Sequence, residues 1–196
     1  EIDDTWSVFG SVARTERVPT LDELYSSEGE VARGPLFFGA RTPSLNLDPE
    51  IATTVEIGLA YEGFDVLSEG DSLQVKATAF NNSIRDLIAT TPRATGPTPG
   101  QAAVPYFSNI DSARIWGLEL EGAYDAEGWF ANAAYSLVRS EDESTGETLT
   151  DTPADTLSLT LGTKLPERGL RLGWRGNWAN SITTASAETS GDSYLT

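Results

Sequence analysis

The stretch "SEDESTGETLTDTPAD", residues 140–155, carries the carboxylates Glu141, Asp142, Glu143, Glu147, Asp151 and Asp155. Calcium takes oxygen ligands of this kind, but the ordered Asp-x-Asp-x-Asp-Gly spacing of a dedicated loop is missing. The stretch reads as a solvated acidic loop with weak affinity at most for divalent cations. Glu119 and Glu121 stand two apart and so share one face of one strand, with Glu56 a candidate for the same face. A glycosidase holds its two carboxylates across a cleft, whereas two on one strand line a wall. Histidine and cysteine are absent. That removes Ser-His and Cys-His nucleophiles, thiolate zinc sites and the commonest ligand of haem iron. The chain is therefore read as a non-enzyme, with no catalytic residue, no metal site and no intrinsic cofactor.

Ligand contact is better served by the loop 26–48, "SSEGEVARGPLFFGARTPSLNLD". Phe37 and Phe38, beside Pro35 and bounded by glycines, make an apolar tip on which a flat apolar ligand or a partner protein can pack.

The elements that must position these residues are strands. In "TLSLTLGTKLPERGLRLGWRGNW", residues 156–178, a leucine or tryptophan falls at nearly every second position on both sides of a short turn. That is the writing of a β-hairpin with one apolar and one polar face. The same period predicts seven strands near 6–14, 51–62, 72–89, 106–125, 128–139, 156–165 and 169–179, and the start of an eighth from 193. "TLDELYSS" is expected to make one helical turn inside a loop. One face collects Val55, Ile57, Leu59, Tyr61, Trp116, Leu118, Leu120, Tyr124, Trp129, Leu157, Leu159, Leu161, Leu172, Trp174 and Trp178. The other holds Glu56, Glu119, Glu121, Asn132, Lys164, Arg171, Arg175 and Asn177, too polar for a packed interior.

Connections at 63–71, 126–127 and 166–168 are short or moderate, and those at 15–50, 90–105, 140–155 and 180–192 are long. In an antiparallel meander the two kinds fall at opposite ends, as in outer-membrane barrels. No run of eighteen apolar residues occurs; this excludes a transmembrane helix and leaves a transmembrane barrel open, since its strands need only about ten alternating residues. A charge facing lipid at mid-membrane costs about 2–4 kcal/mol in a barrel, while a wet lumen accepts it, so the polar face is expected inward. The fold class is all-β, an antiparallel transmembrane β-barrel segment; a soluble sandwich shares the alternation and stays open as the alternative. Thirteen basic residues against thirty acidic, a net charge of −17, speak against nucleic acid as a partner.

The stretches "SVARTERVPTLDELYSSEG" and "SLNLDPEIATTVEIGLAYE" resemble the barrel of a TonB-dependent outer-membrane receptor. The resemblance runs through Arg17, Pro19, Thr20, Leu21, Glu23, Leu24 and Tyr25, then Asn46 or Leu47, Pro49, Glu50, Glu56 and Gly58. It continues through "ATAFNNSIRDLIATT", through Asn109, Ala113, Gly117 and Glu119, and through Pro153 and Leu159. It implies a barrel of about twenty-two strands closed by an N-terminal plug. Residues 1–196 are then expected to be the later part of that barrel domain, without the plug and the closing strands. The location implied is the outer membrane of a Gram-negative bacterium.

Glu16-Arg17-Val18-Pro19 and Ser44-Leu45-Asn46-Leu47 resemble, each by half, two boxes that flank a substrate loop in haem and haemoprotein receptors. Those receptors usually carry a haem-ligating histidine between the boxes, and residues 20–43 have none. Tyr25 offers an oxygen that can ligate ferric iron. The resemblance thus implies active transport of haem or a haemoprotein-derived cargo, energised by the TonB complex through the missing plug segment, with outer-membrane lipid around the barrel. Arg17, Tyr25 and Asn46 with Phe37 and Phe38 are the candidate cargo contacts. A ferric siderophore or zinc is the alternative cargo, and a secreted acidic all-β binding module the alternative class.

Overall fold

The computed structural model describes residues 4–27, 41–91, 104–149, 152–180 and 194–195. The strands are β1 (Trp6–Arg17), β2 (Arg41–Thr42), β3 (Glu50–Phe64), β4 (Ser72–Thr90), β5 (Val104–Pro105), β6 (Phe107–Asp125), β7 (Trp129–Asp142), β8 (Thr156–Leu165), β9 (Leu170–Ala179) and β10 (Tyr194–Leu195). One α-helix, α1 (Leu21–Tyr25), follows β1. Among the described residues there are two sheets: one with strand order β1-β3-β4-β6-β7-β8-β9-β10, and a two-stranded parallel pair of β2 and β5. The chain divides into two compact units. The first comprises Glu1–Ala13, Thr54–Asn82 and Arg114–Thr196, the second Arg14–Thr53 and Ser83–Ala113.

In the first unit the register converts the sequence alternation into rows. Ala131, Leu161 and Trp174 lie side by side across β7, β8 and β9, as do Tyr135, Leu157 and Trp178. The next row over, Asn132, Thr160 and Arg175, is polar, and Arg175 Nε donates to Thr160 Oγ1 at 3.2 Å. The apolar rows are exposed: Ile57 at 61%, Leu172 at 57% and Trp174 at 56%. A sandwich would bury such a face against a second sheet; here it stands open, as a face turned to hydrocarbon must.

The polar face holds a feature the alternation does not announce. A Cβ at Gly58 would overlap the Phe9 ring, one at Gly162 the Phe130 ring, and one at Gly117 would lie 2.7 Å from Phe80 Cζ and collide with the Leu137 carbonyl. Each phenyl ring thus occupies a notch left by a glycine on a neighbouring strand. The arrangement covers backbone that glycine leaves bare. Cations cap two of these rings: Lys76 Nζ lies 5.5 Å from the Phe9 centroid and the Arg171 guanidinium 4.7 Å from that of Phe130.

The β3–β4 turn is built around one buried carboxylate. Asp71 accepts from the amides of Val66 at 2.7 Å, Leu67 at 2.9 Å and Ser68 at 2.7 Å, and from the Tyr124 hydroxyl at 2.7 Å. Asp65 and Gly70 take positive φ to close the turn, and the Gly70 amide donates to the Asp65 carboxylate. Tyr124, expected on the outward face, is buried by this turn and packs 4.6 Å, centroid to centroid, from Trp129. Burial alone would push the Asp71 carboxyl up; the Tyr124 hydroxyl and the three amides outweigh it and hold it down at about 2.

Two outcomes follow. Gly117→Ala, facing a backbone oxygen that cannot swing away, lowers folding stability by about 1–3 kcal/mol, while Gly128→Ala, with nothing within 4 Å of its added Cβ, is neutral; urea unfolding in detergent measures both. Because the folded pKa of Asp71 lies below its ordinary 3.8, its stabilisation is complete above pH 3.8 and is lost as pH falls through about 2. Hydrogen exchange at the Val66, Leu67 and Ser68 amides, corrected for intrinsic rate, therefore accelerates across that window, and the acceleration disappears in Asp71→Asn.

Candidate functional site

The candidate cargo residues belong to the second unit, where the chain leaves β1, forms α1 and returns as β3. Thr20 and Glu23 form a reciprocal capping box. The Glu23 amide donates to Thr20 Oγ1 at 3.2 Å, and the Thr20 amide donates to Glu23 Oε2 at 2.8 Å. Glu23 also meets Arg17, whose Nη1 lies 2.9 Å from its Oε2 while Nη2 lies 2.9 Å from Glu50 Oε2. One guanidinium fork thereby joins the end of β1, the start of α1 and the first residue of β3. A planar guanidinium, with donors along separate edges, meets both carboxylates at once in a fixed geometry. The Ile88 amide of β4 donates to the same Glu50 oxygen at 3.3 Å. Partial burial works against the charge on Glu23, and the Thr20 amide and Arg17 outweigh it, so its carboxyl titrates below the ordinary value.

Two further residues fasten the returning chain. Ser44, buried, donates its amide to the Leu24 carbonyl at 2.8 Å and accepts the Phe107 amide on Oγ at 2.7 Å. Asn109 donates to the carbonyls of Asp86 at 2.6 Å and Asp48 at 3.1 Å and accepts the Asp48 amide at 2.9 Å. Asp86 sits at φ 56°, so its carbonyl points out of the β4 ladder, and Asn109 supplies the missing donor. Ile84, Ile88 and Ala113 give this unit its small buried core.

Two neighbouring segments meet beside this stem. The Tyr106 amide donates to the Thr42 carbonyl and the Thr91 amide to the Tyr106 carbonyl, both at 2.9 Å. Arg41 donates through Nη2 to the Thr91 carbonyl at 2.8 Å and lies over the Tyr106 ring, 4.4 Å from its centroid. Neither β2 nor β5 was expected, and Arg41 was not among the candidates. A two-residue parallel pair leaves no period to read, and an arginine beside a loop is indistinguishable in sequence from a solvated one.

The other candidates are placed as follows. Tyr25 and Leu21, on α1, are 63% and 76% exposed. Asn46 is exposed in the turn that precedes half-buried Leu47 and Pro49, and Pro19 is half-buried before α1. Glu56, which accepts from Ser11 Oγ at 3.2 Å, belongs to the first unit together with Gly58, Gly117 and exposed Glu119. Phe37 and Phe38 lie outside the described residues.

The family model for TonB dependent receptor-like β-barrels matches residues 1–196. The chain belongs to the TonB-dependent receptor family. It is a β-barrel chain of the Gram-negative outer membrane, in a family of transport receptors rather than enzymes. A hemin receptor of Yersinia enterocolitica is 30% identical over 192 residues, covering 94% of this chain and 28% of that protein. The chain thus spans under a third of the length of that relative. Among solved structures, the copper transporter OprC superposes with a TM-score of 0.75 at 18% identity, covering 100% of this chain and 28% of that one. The Serratia marcescens hemophore receptor HasR, in complex with its hemophore HasA and heme, gives 0.70 at 20% identity, covering 100% and 31%. These two likenesses show the fold.

Arg17→Lys, which keeps the charge and loses the fork, is expected to raise the rate of proteolytic cleavage between residues 27 and 41 about threefold to tenfold in the receptor in detergent. Asn109→Ala acts in the same direction, and limited proteolysis followed by mass spectrometry of the fragments measures both.

Proposed function

We propose that this chain is the later part of the barrel of an outer-membrane receptor that imports haem or a haemoprotein-derived cargo. In this reading the TonB complex supplies the energy through a plug segment outside these residues. The observation that carries it is the Arg17–Glu23–Glu50 node. Together with the Ser44 amide bonded to the Leu24 carbonyl, it ties the half-kept box around Arg17 to the one that holds Asn46 in one hydrogen-bonded stem. The identity with hemin receptors over most of the chain supports the same cargo.

The residue types fit a cargo that brings its own metal ligands. Cysteine, methionine and histidine, the ligands that select soft or borderline metals, do not occur in the chain. What the stem offers is the apolar surface of Leu21 and the ring and hydroxyl of Tyr25, all exposed. A porphyrin plane packs on the former, and a tyrosinate oxygen suits ferric iron.

The test is a haem titration of the intact receptor in detergent, followed at the Soret band, beside a variant lacking residues 27–40. A saturable shift in the wild type, weakened tenfold or more by the deletion, is expected. No shift in the wild type sinks the haem reading and leaves the receptor fold standing, with a ferric siderophore or zinc as the cargo to try next.

A further inference from the structure

Among the described residues, Arg41 is a cation without a counter-charge. Its guanidinium is half-buried, stacked on Tyr106 and tied through Nη2 to the Thr91 carbonyl. Its Nε is buried with no acceptor, and the hydroxyl of Thr91 is buried with no partner. Of the ion pairs described, those of Arg17, Arg139 and Lys164, none involves Arg41. Removing a guanidinium from water costs several kcal/mol unless an anion and good hydrogen bonds repay it. A neutral carbonyl and a ring face repay only part. In a chain with thirty carboxylates and thirteen cations, a counter-ion for one more arginine is the easiest thing to supply, and among the described residues none is placed on Arg41.

The setting is rigid. Thr42, Tyr106 and Thr91 are bound to one another by consecutive backbone hydrogen bonds, and β2 pairs with β5. The guanidinium lies over the Tyr106 ring, and the two unused groups sit on residues already joined by the Arg41–Thr91 bond. A planar cation with an unused donor, bonded to a residue whose hydroxyl is also unused, is the complement of a planar oxyanion with two acceptor oxygens.

We propose that Arg41 and Thr91, with Tyr106 as the platform, form a binding site for a carboxylate of the cargo. This deepens the haem reading, on which the identity of the carboxylate rests: a porphyrin carries propionates, and the site takes one of them. Arg41 orients the cargo by its acid edge.

The experiment compares haem with haem dimethyl ester on the intact receptor in detergent, in the wild type, Arg41→Gln and Thr91→Val. The wild type binds haem about tenfold or more tightly than the ester; Arg41→Gln loses that preference and binds the two alike; Thr91→Val, which leaves backbone and volume intact, loses part of it. Equal wild-type affinity for acid and ester overturns the proposal, as does an Arg41→Gln variant that weakens both ligands by the same factor. A second measurement needs no haem: modification of Arg41 by phenylglyoxal, read by mass spectrometry, with succinate or inorganic phosphate present at equal ionic strength. Slowing by succinate but not by phosphate sustains the carboxylate site even if haem fails to bind, and then only the choice of cargo falls. No protection by succinate, or equal protection by phosphate, overturns it.

Discussion

A strand set between hydrocarbon and a wet interior has one freedom, the choice of which alternate residue faces which side. Every backbone polar group must be bonded within the sheet, because lipid offers no partner. Register is therefore rigidly held, and a slip of one residue would turn every charge toward lipid. The rows Ala131–Leu161–Trp174 and Asn132–Thr160–Arg175 show the result on adjacent lines of the same three strands. Everything else described here is built on that alternation.

The inward face is not uniformly polar, and its departures are local packing devices. Phe9, Phe80 and Phe130 lie inward, each over a glycine of a neighbouring strand. Bulk at those glycines would lift the rings, and polar residues in place of the rings would leave bare backbone. Pairing a large flat side chain with an absent one spans two strands, which holds register in a sheet without a core on either side. The β3–β4 turn uses the opposite means, a single carboxylate that gathers three amides and the Tyr124 hydroxyl.

Two arginines of the second unit illustrate how the same side chain serves different ends. Arg17 is fully matched, its fork divided between Glu23 and Glu50, and its effect is to bring three elements together. Arg41 has a carbonyl and a ring but, among the described residues, no carboxylate. The first is spent on the fold; the second retains a charge to offer. Arg17 ends β1 before α1, and Arg41 opens β2.

The sequence by itself determined the long strands, the alternation of their faces and the family. Alternation is a local property, imposed on each strand separately by lipid and water, and it survives in the order of residues. It placed β3, β4, β6, β7, β8 and β9 within a few residues of their ends. The capping box at Thr20 and Glu23 is equally local, and "TLDELYSS" does make its single helical turn. What only the tertiary structure decided is which distant residues meet: Phe130 with Gly162, Asp71 with Tyr124, Asn109 with Asp86, and Arg41 with Thr91 and Tyr106. These contacts join positions tens of residues apart, through side chains whose types have no period. Whether an arginine is neutralised or left with a charge to offer depends on that meeting, and no spacing along the chain records it.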